Sequence, residues 1–563
     1  MSGTINLTTT WTQEGSPYLV TDTVEVAEGV TLSIGAGVSI VFGEGTSLTV
    51  RDQLLAIGTQ GEMITFTSGK ETPSPGDWEG IIFKDSAIDA TVESEYRYQS
   101  GSTLTYCTIE YAGPGITCES SSPFIAHCTI THNTAESGGG GIYLAGDAVV
   151  INNLITDNQA LDVPGDGGGI YNLTNAATIA GNLIEGNYAF NHGGGLFVAG
   201  NSVVKGNVIM DNCANGCGGG IYIDYGAPTI ENNGIVNNAA EASGGGVYSE
   251  WGTATLRGNC IHTNTAQLYG GGMCIVDGSV VIESTSVVNN TTADFLGGGI
   301  YYTSESIFDN SSLMISSSNI ESNQGYDIYN GSRLEIAAGN NYWGTIDTAL
   351  LDENIFDMAD DRLSGPVTYE PAASQPYSIV DLAVIPSSPY FGSVNLESSA
   401  THTLTIFNLG IEDRTTGTLS LNGENASEFS IQNDHCSAST LAPLANCTVD
   451  MVFSPTQIGL RNATLSIPYT AVSTTTLEVT LSGTGALSCP IEEIYGSNSV
   501  EAALLRHFRD DVLDKTPEGQ TLIQWYYKHS PALVKVMRED EALREELKTL
   551  IDGVLPLVRI DAN

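Results

Sequence analysis

Residue types that perform covalent chemistry occupy one position in three consecutive repeats. Asp166, His192 and Cys217 each stand immediately before a run of glycines. If successive repeats stack as neighbouring strands do, at about 4.8 Å, Asp falls beside His and His beside Cys, with Glu136 and Asp162 near the same corner. A carboxylate that orients an imidazole, which in turn draws a proton from a thiol, is the constellation of a nucleophilic enzyme. Cys213 lies within the same corner, and the expected state is a Cys213–Cys217 disulfide, which would remove the nucleophile.

A second constellation could bind rather than react. After each glycine run comes an aliphatic residue: Ile142, Ile170, Leu196, Ile221, Val247, Met273 and Ile300. If these point inward, period-two alternation sends the next column outward, namely Tyr143, Tyr171, Phe197, Tyr222, Tyr248, Cys274 and Tyr301. Exposed rings in a row suit the apolar faces of sugars, and simple rung-to-rung stacking is the alternative that needs no ligand.

Both constellations depend on one repeat. Gly-Gly-Gly begins at Gly139, Gly167, Gly193, Gly218, Gly244, Gly270 and Gly297, a period of about 26 residues. Aliphatic columns run through Leu104, Ile125, Val150, Ile179, Val204, Ile230, Leu256 and Ile282, and through Ile109, Ile130, Ile155, Ile184, Ile209, Ile235, Ile261 and Val287. Between them Asn153, Asn182, Asn207, Asn233 and Asn259 predict an internal asparagine ladder, whose amides bond to the rungs above and below. A further column from Asn133 to Asn290 marks the next corner.

The helical spacing i, i+3, i+4, i+7 is missing, and short β-rich segments between Gly/Asn corners predict a parallel solenoid with three strands per turn. On these residues the chain resembles right-handed parallel β-helices of the pectate-lyase-like superfamily. The resemblance extends to the alternating segment from Val24 to Val50, to Asp77-Trp78-Glu79-Gly80-Ile81, and to the Tyr106-Cys107-Thr108-Ile109-Glu110-Tyr111-Ala112 rung. It closes on Asn340-Asn341-Tyr342-Trp343-Gly344-Thr345, a short helical stretch to Phe356, and Gly365-Pro366-Val367-Thr368-Tyr369-Glu370-Pro371, giving a first domain over 1–373.

Composition limits the partners. The chain carries 65 acidic and 19 basic residues, and residues 1–372 hold 42 and 8 of them. Nucleic acid needs a basic surface and is excluded. Polyuronates should be repelled unless cations bridge them, so acidic glycans are expected to require calcium, the one cofactor this surface brings into view. Solubility of a long rod explains the same acidity without a ligand. No apolar run reaches the ~20 residues of a membrane span, and the opening Met1-Ser2-Gly3 lacks the regions of a signal peptide. The expectation is an extracellular or cell-surface protein whose native signal has been trimmed.

Ten cysteines form no scaffold. Cys107 and Cys128 share a column on adjacent rungs, either as a disulfide or as stacked thiols, and Cys436 is expected to pair with Cys447. Neither CxxC nor His-x-x-His spacing occurs, which argues against zinc.

After a Ser/Pro-rich linker from Pro371 to Pro389, strands recur at sandwich spacing. The match at Tyr390-Phe391-Gly392-Ser393-Val394, Leu404-Thr405-Ile406-Phe407-Asn408, Phe429-Ser430-Ile431 and Cys436…Cys447…Phe453-Ser454-Pro455 resembles Ig-like domains related to ciliary ASH modules, over 379–487. Spacer is the expected role. Residues 488–563 show helical spacing at Leu504, Leu505, Phe508, Val512 and Leu513 and at Leu543, Leu547, Leu550 and Ile551, punctuated by Pro517, Pro531 and Pro556. Cys489, Tyr495-Gly496-Ser497, Leu505-Arg506-His507-Phe508-Arg509-Asp510, Gly519 and Tyr526-Tyr527 resemble a bacterial C-terminal module that usually opens with a Cys-Phe-Ile box and implies sorting or anchoring. Pro490-Ile491 departs from that box, and a helical bundle cap is the alternative.

Lyase or hydrolase chemistry lacks its expected parts. The central rungs carry only Lys205 and Arg257, in one column with Glu231 and Glu283, which reads as a surface ion-pair stripe. The sequence therefore points to a noncatalytic, surface-displayed rod for adhesion or glycan recognition. A polysaccharide lyase or glycoside hydrolase is the alternative, and self-association through open solenoid ends is a third reading.

Overall fold

The computed structural model describes residues 1–174, 176–294, 296–304, 311–396, 398–470, 474–487, 490–495 and 500–561. Each turn of the chain lays one strand into each of three parallel sheets. The first runs through fourteen strands from Gly3–Ile5 to Ile355–Phe356, the second through fourteen from Thr9–Trp11 to Val367–Thr368, and the third through twelve from Tyr18–Val20 to Asn319–Glu321. A ribbon of seven two-residue strands, Thr134–Ala135 to Thr291–Thr292, fills the corner before the glycines.

The registers are those the columns predict: Ile142↔Ile170 in the first sheet, Val150↔Ile179 in the second and Ile155↔Ile184 in the third. All six side chains are wholly buried. Burying one such side chain is worth roughly 1.5–3 kcal/mol, so the stacked columns form the main core of the rod.

Two asparagine ladders line the inner corners. Asn182 Nδ2 donates to Asn207 Oδ1 at 3.0 Å and to the Val150 carbonyl at 2.9 Å, while the Asn182 amide N–H donates to the same Oδ1 at 2.9 Å. Every rung from Asn153 to Asn233 repeats this, and the ladder then passes to Thr285 Oγ1. The second ladder climbs from Asn133 through Asn290 and Asn323 and ends on Asp327 Oδ1, 2.8 Å from Asn323 Nδ2. Both amide hydrogens and the Oδ1 of each interior rung are satisfied, so the buried amides leave few orphan groups.

The glycine triplets are needed for steric reasons that differ by position. Gly218 sits at φ +70, a Cβ on Gly219 would lie 2.4 Å from the Ala239 carbonyl oxygen, and one on Gly220 would lie 2.7 Å from that of Gly246. The ribbon and the next rung thus press against bare backbone. Outside, Lys205–Glu231 (3.3 Å) and Arg257–Glu283 (2.8 Å) form the expected stripe of exposed ion pairs.

Residues Leu382 to Ala486 fold as a sandwich of a four-stranded and a six-stranded sheet over one core, with Cys436 and Cys447 in a disulfide. The segment expected to be a linker needs correction, because it lies against the rod on its way into the sandwich. Tyr377 exchanges hydrogen bonds with Asn319 (2.8 and 3.0 Å), and the Ser387 amide donates to Asn152. The cause is a break in the outer column of the third sheet. Where neighbouring rungs carry Val208 and Cys260, one rung has Gly234, and Leu409 of the sandwich fills the hole, 2.3 Å from where a Cβ would stand. Val208, Met210, Cys260, Phe407 and Leu409 bury one another there, and His262 bonds the Leu409 carbonyl.

The remaining chain forms helices at Pro490–Tyr495, Val500–Asp511, Pro517–Glu539 and Glu541–Asp561. Thr516 caps the third through the Gly519 amide, with Pro517 in its first turn, as its spacing predicts. Pro531 and Pro556, expected to interrupt helices, instead lie within them. Val512 and Leu550, expected to line apolar faces, are exposed, whereas Val534, Met537 and Leu555 are buried. Tyr495 joins Asp552 at 2.8 Å and Arg538 joins Glu493 at 2.8 Å, tying the helices together. Cys489, on which the resemblance to a sorting module opens, lies outside the described residues. Among the described residues no helix is long and apolar enough to cross a membrane.

Candidate functional site

The central strands of the first sheet, Ile170–Asn172, Leu196–Val198, Ile221–Ile223 and Val247–Glu250, hold the outer face where both constellations meet. Tyr171, Phe197, Tyr222 and Tyr248 are in direct register. Their ring centroids follow one another at 4.8, 5.1 and 5.1 Å. Above the interruption at Cys274, Tyr301, Tyr329 and Phe356 continue at 5.3 and 4.1 Å.

The column is not the open platform that alternation predicts. Phe197 is 5 % and Tyr222 6 % exposed, because strand spacing is close to the thickness of a ring and each ring covers the face of the next. Tyr143, Tyr171, Tyr248 and Tyr301 are half-buried. Leu173 and Cys217 pack against the same cluster.

Asp166, His192 and Cys217 do come together, but through backbone. Asp166 Oδ1 accepts from the His192 amide at 3.0 Å and from Asn191 Nδ2 at 2.9 Å, and His192 Nδ1 accepts from the Cys217 amide at 3.0 Å. Each side chain satisfies the amide of the following rung, so Nδ1 is engaged by an N–H instead of the thiol. The imidazole also stacks on Tyr222 at 4.5 Å. Burial lowers the pKa of His192 and pushes that of the Cys217 thiol up to about 11, against the lowering effect of the Ser243 amide, so the thiol is protonated at neutral pH.

The expected Cys213–Cys217 bridge is absent: both are free. The ribbon strand Cys213–Ala214 places Cys213 near Glu241, while Cys217 is drawn into the ring cluster. Cys107 and Cys128 are free and buried, with Cys128 Sγ 3.3 Å from the Ala126 carbonyl.

Carboxylates flank the rings. Burial raises the Asp166 carboxyl to about 6, with a smaller push from Asp224, and burial followed by Glu250 raises Asp224. Glu250 accepts from the Tyr222 hydroxyl at 2.7 Å. Directly beyond the first-sheet strands the chain turns a corner, where two further rings stand free: Tyr225 is 50 % and Trp251 63 % exposed. Trp251 takes φ +54, a left-handed conformation that costs a bulky side chain roughly 1–2 kcal/mol.

Neither ring belongs to the triplet-linked columns, which is why reading by columns passes over them. Their signal is a shorter one, Asp224-Tyr225-Gly226 repeated as Glu250-Trp251-Gly252 one period later. Among the described residues no group of three or more His, Cys, Asp or Glu is placed to hold a metal ion.

Comparison with known proteins matches two parts of the chain. Residues 79–223 match the family described as right handed beta helix region, and residues 382–486 match Cep192 domain 4. Similar solved structures include the secreted serine protease VesC from Vibrio cholerae, 24% identical with a TM-score of 0.18, covering 20% of this chain and 25% of that one. The ASH/PapD-like domain 7 of human CEP192 is 14% identical with a TM-score of 0.17, covering 22% of this chain and 98% of that one. The Vibrio cholerae VesB protease is 19% identical with a TM-score of 0.16, covering 18% and 32%. The chain thus spans a quarter of VesC. No curated protein matches it.

Proposed function

We propose that the protein is a noncatalytic recognition rod displayed outside a bacterial cell, in which the acid–aromatic corner receives neutral sugars. The observation that carries this reading is the pair Tyr225 and Trp251, exposed on adjacent rungs, with Trp251 in the left-handed backbone of the corner. Exposed rings offer faces to the C–H side of a pyranose, while Asp224 and Glu250, the residues just before them, supply acceptors for its hydroxyls. A ligand bound this way carries no charge, so its binding depends little on salt. A glycan array comparing wild type with the Tyr225→Ala, Trp251→Ala variant tests the reading, and undiminished binding of neutral glycans in that variant would remove the corner from it.

One observation favours a second reading, a glycoside hydrolase. Asp166 has a carboxyl raised to about 6 by burial and, to a smaller extent, by the neighbouring Asp224, a pair of carboxyl groups of the kind acid catalysis uses. New reducing ends released from a glycan panel by wild type and lost in Asp166→Asn would establish it.

A further inference from the structure

The helix Pro517–Glu539 has one packed face and one bare face. Gly519, Ser530, Val534 and Met537 are buried, and Arg538 holds Glu493 of a neighbouring helix at 2.8 Å. A different row, Glu518, Leu522, Trp525, His529, Ala532 and Val536, runs along the helix at alternating intervals of four and three residues, and every member is exposed. Lys515 before it and Glu539 after it extend the same spacing and are exposed too. Unbroken alternation of three and four is the heptad rule for a seam between two helices.

The middle of the seam is apolar. The chain carries 65 acidic residues, yet from Leu522 to Val536 no seam position holds Asp, Glu, Lys or Arg, and charge returns only at the two ends. Trp525 is 60 % exposed and Leu522 52 %, and the Trp525 and His529 rings lie 4.8 Å apart by their centroids, so they form one continuous surface. A single exposed apolar side chain needs no partner. A row of them along one helix face does.

The end charges select the partner. If a second copy lies antiparallel with the two-fold axis at residue 527, each seam position meets its complement: Leu522 faces Ala532, Trp525 faces His529, and Lys515 faces Glu539 of the other copy. Glu518 then falls beside Val536, next to exposed Lys535. Parallel pairing would instead set Lys515 on Lys515, Glu518 on Glu518 and Glu539 on Glu539, a repulsion at both ends.

We propose that a second copy of this chain covers the seam, the two Pro517–Glu539 helices packing antiparallel about a two-fold axis. The surface is separate from the open ends of the solenoid and from the Tyr225–Trp251 corner. A dimer joined here carries two copies of every site on the rod, which raises avidity for a repeated ligand without any new contact. So short a seam makes a weak, reversible pair, expected to form in the micromolar range.

Sedimentation velocity of the intact chain over that range is the test, and it should show a reversible monomer–dimer equilibrium. Trp525→Glu and, separately, Ala532→Glu should each weaken the dimer about ten-fold or more with unchanged far-ultraviolet circular dichroism, since both positions are exposed in the single chain. Lys515→Glu should weaken it several-fold, Glu539→Lys likewise, and the two together should return it to near wild type, because the pair is restored with its signs exchanged. A monomer at every concentration, or wild-type association in either seam variant, would overturn the proposal. Single charge variants without effect, or a double variant no better than the singles, would overturn the antiparallel arrangement. Flotation of wild type with vesicles of phosphatidylcholine and phosphatidylglycerol, abolished by Trp525→Glu, would assign the seam to a lipid surface and overturn it as well.

Discussion

The ring column and the corner pair lie side by side on the same rungs and have opposite fates. From Tyr171 to Tyr248 the rings repeat in register, Tyr171 tilted against Phe197 and Phe197, Tyr222 and Tyr248 stacked face to face, and Phe197 and Tyr222 retain almost no exposed surface. Tyr225 and Trp251 interrupt the pattern, stand in solvent, and in Trp251 occupy backbone space that favours glycine. The difference shows that in a solenoid repetition itself consumes surface. A residue type present on every rung finds its partner in the next rung, whereas a departure from the column leaves a group free for something else. Gly234, which breaks an outer column to admit Leu409, follows the same logic for the docked sandwich.

Removing the column should therefore disturb folding first. Tyr171→Ala, Tyr222→Ala and Tyr248→Ala together should cost about 3 kcal/mol or more by thermal or denaturant unfolding, because buried stacked rings leave cavities. A triple variant as stable as wild type would mean that the stack is ornamental and its rings are free for ligand.

Inside the same rungs, Asn207→Leu should destabilise by about 1–3 kcal/mol, since it leaves the Asn182 amide groups and Asn233 without their partner. Unchanged denaturant midpoints would contradict a cooperative ladder.

The ladder end gives a pH-dependent comparison. Burial raises Asp327 to about 7, against an ordinary carboxyl near 3.8. In the folded state it keeps its proton through a window where the unfolded chain has lost it, so its contribution to stability is full below pH 3.8 and declines as pH rises through 7. Asp327→Asn keeps the Oδ1 acceptor and never ionises. It should match wild type near pH 4 and exceed it by on the order of a kcal/mol or more at pH 8, as read from paired denaturant titrations. Parallel pH profiles would remove the buried charge from the account.

The smallest expected effect is chemical. Alkylation without reductant followed by intact-mass measurement should label half-buried Cys213 first and leave Cys436 and Cys447 unlabelled. Cys217 should follow Cys213 slowly, its thiol protonated and packed against rings. Rapid labelling of Cys217 at neutral pH would restore it as a nucleophile.

What the sequence discloses follows from the same distinction. The inner columns, the asparagine ladder and the three-strand turn are readable because each is written repeatedly and one packing rule serves every copy. Inward or outward is likewise readable from alternation at Tyr171 or Tyr222, but exposure is not, since outward rings one strand apart cover each other. The docking of the sandwich is hidden for a different reason. Its marker is the missing side chain of Gly234, and Leu409, which uses the space, lies far along the chain. Asp166, His192 and Cys217 show the limit of spacing as a guide to chemistry. Stacking brings them together, while His192 Nδ1 is engaged by the Cys217 amide of the next rung and not by its thiol.

The central claim, that recognition resides where the columns are broken, is tested most directly on one glycan array. Wild type, the corner variant Tyr225→Ala, Trp251→Ala and the column variant Tyr171→Ala, Tyr222→Ala, Tyr248→Ala are compared at a temperature where all three are folded. The account predicts that neutral-glycan binding falls at least ten-fold in the corner variant and persists in the column variant. Binding lost with the column and kept without the corner would contradict it.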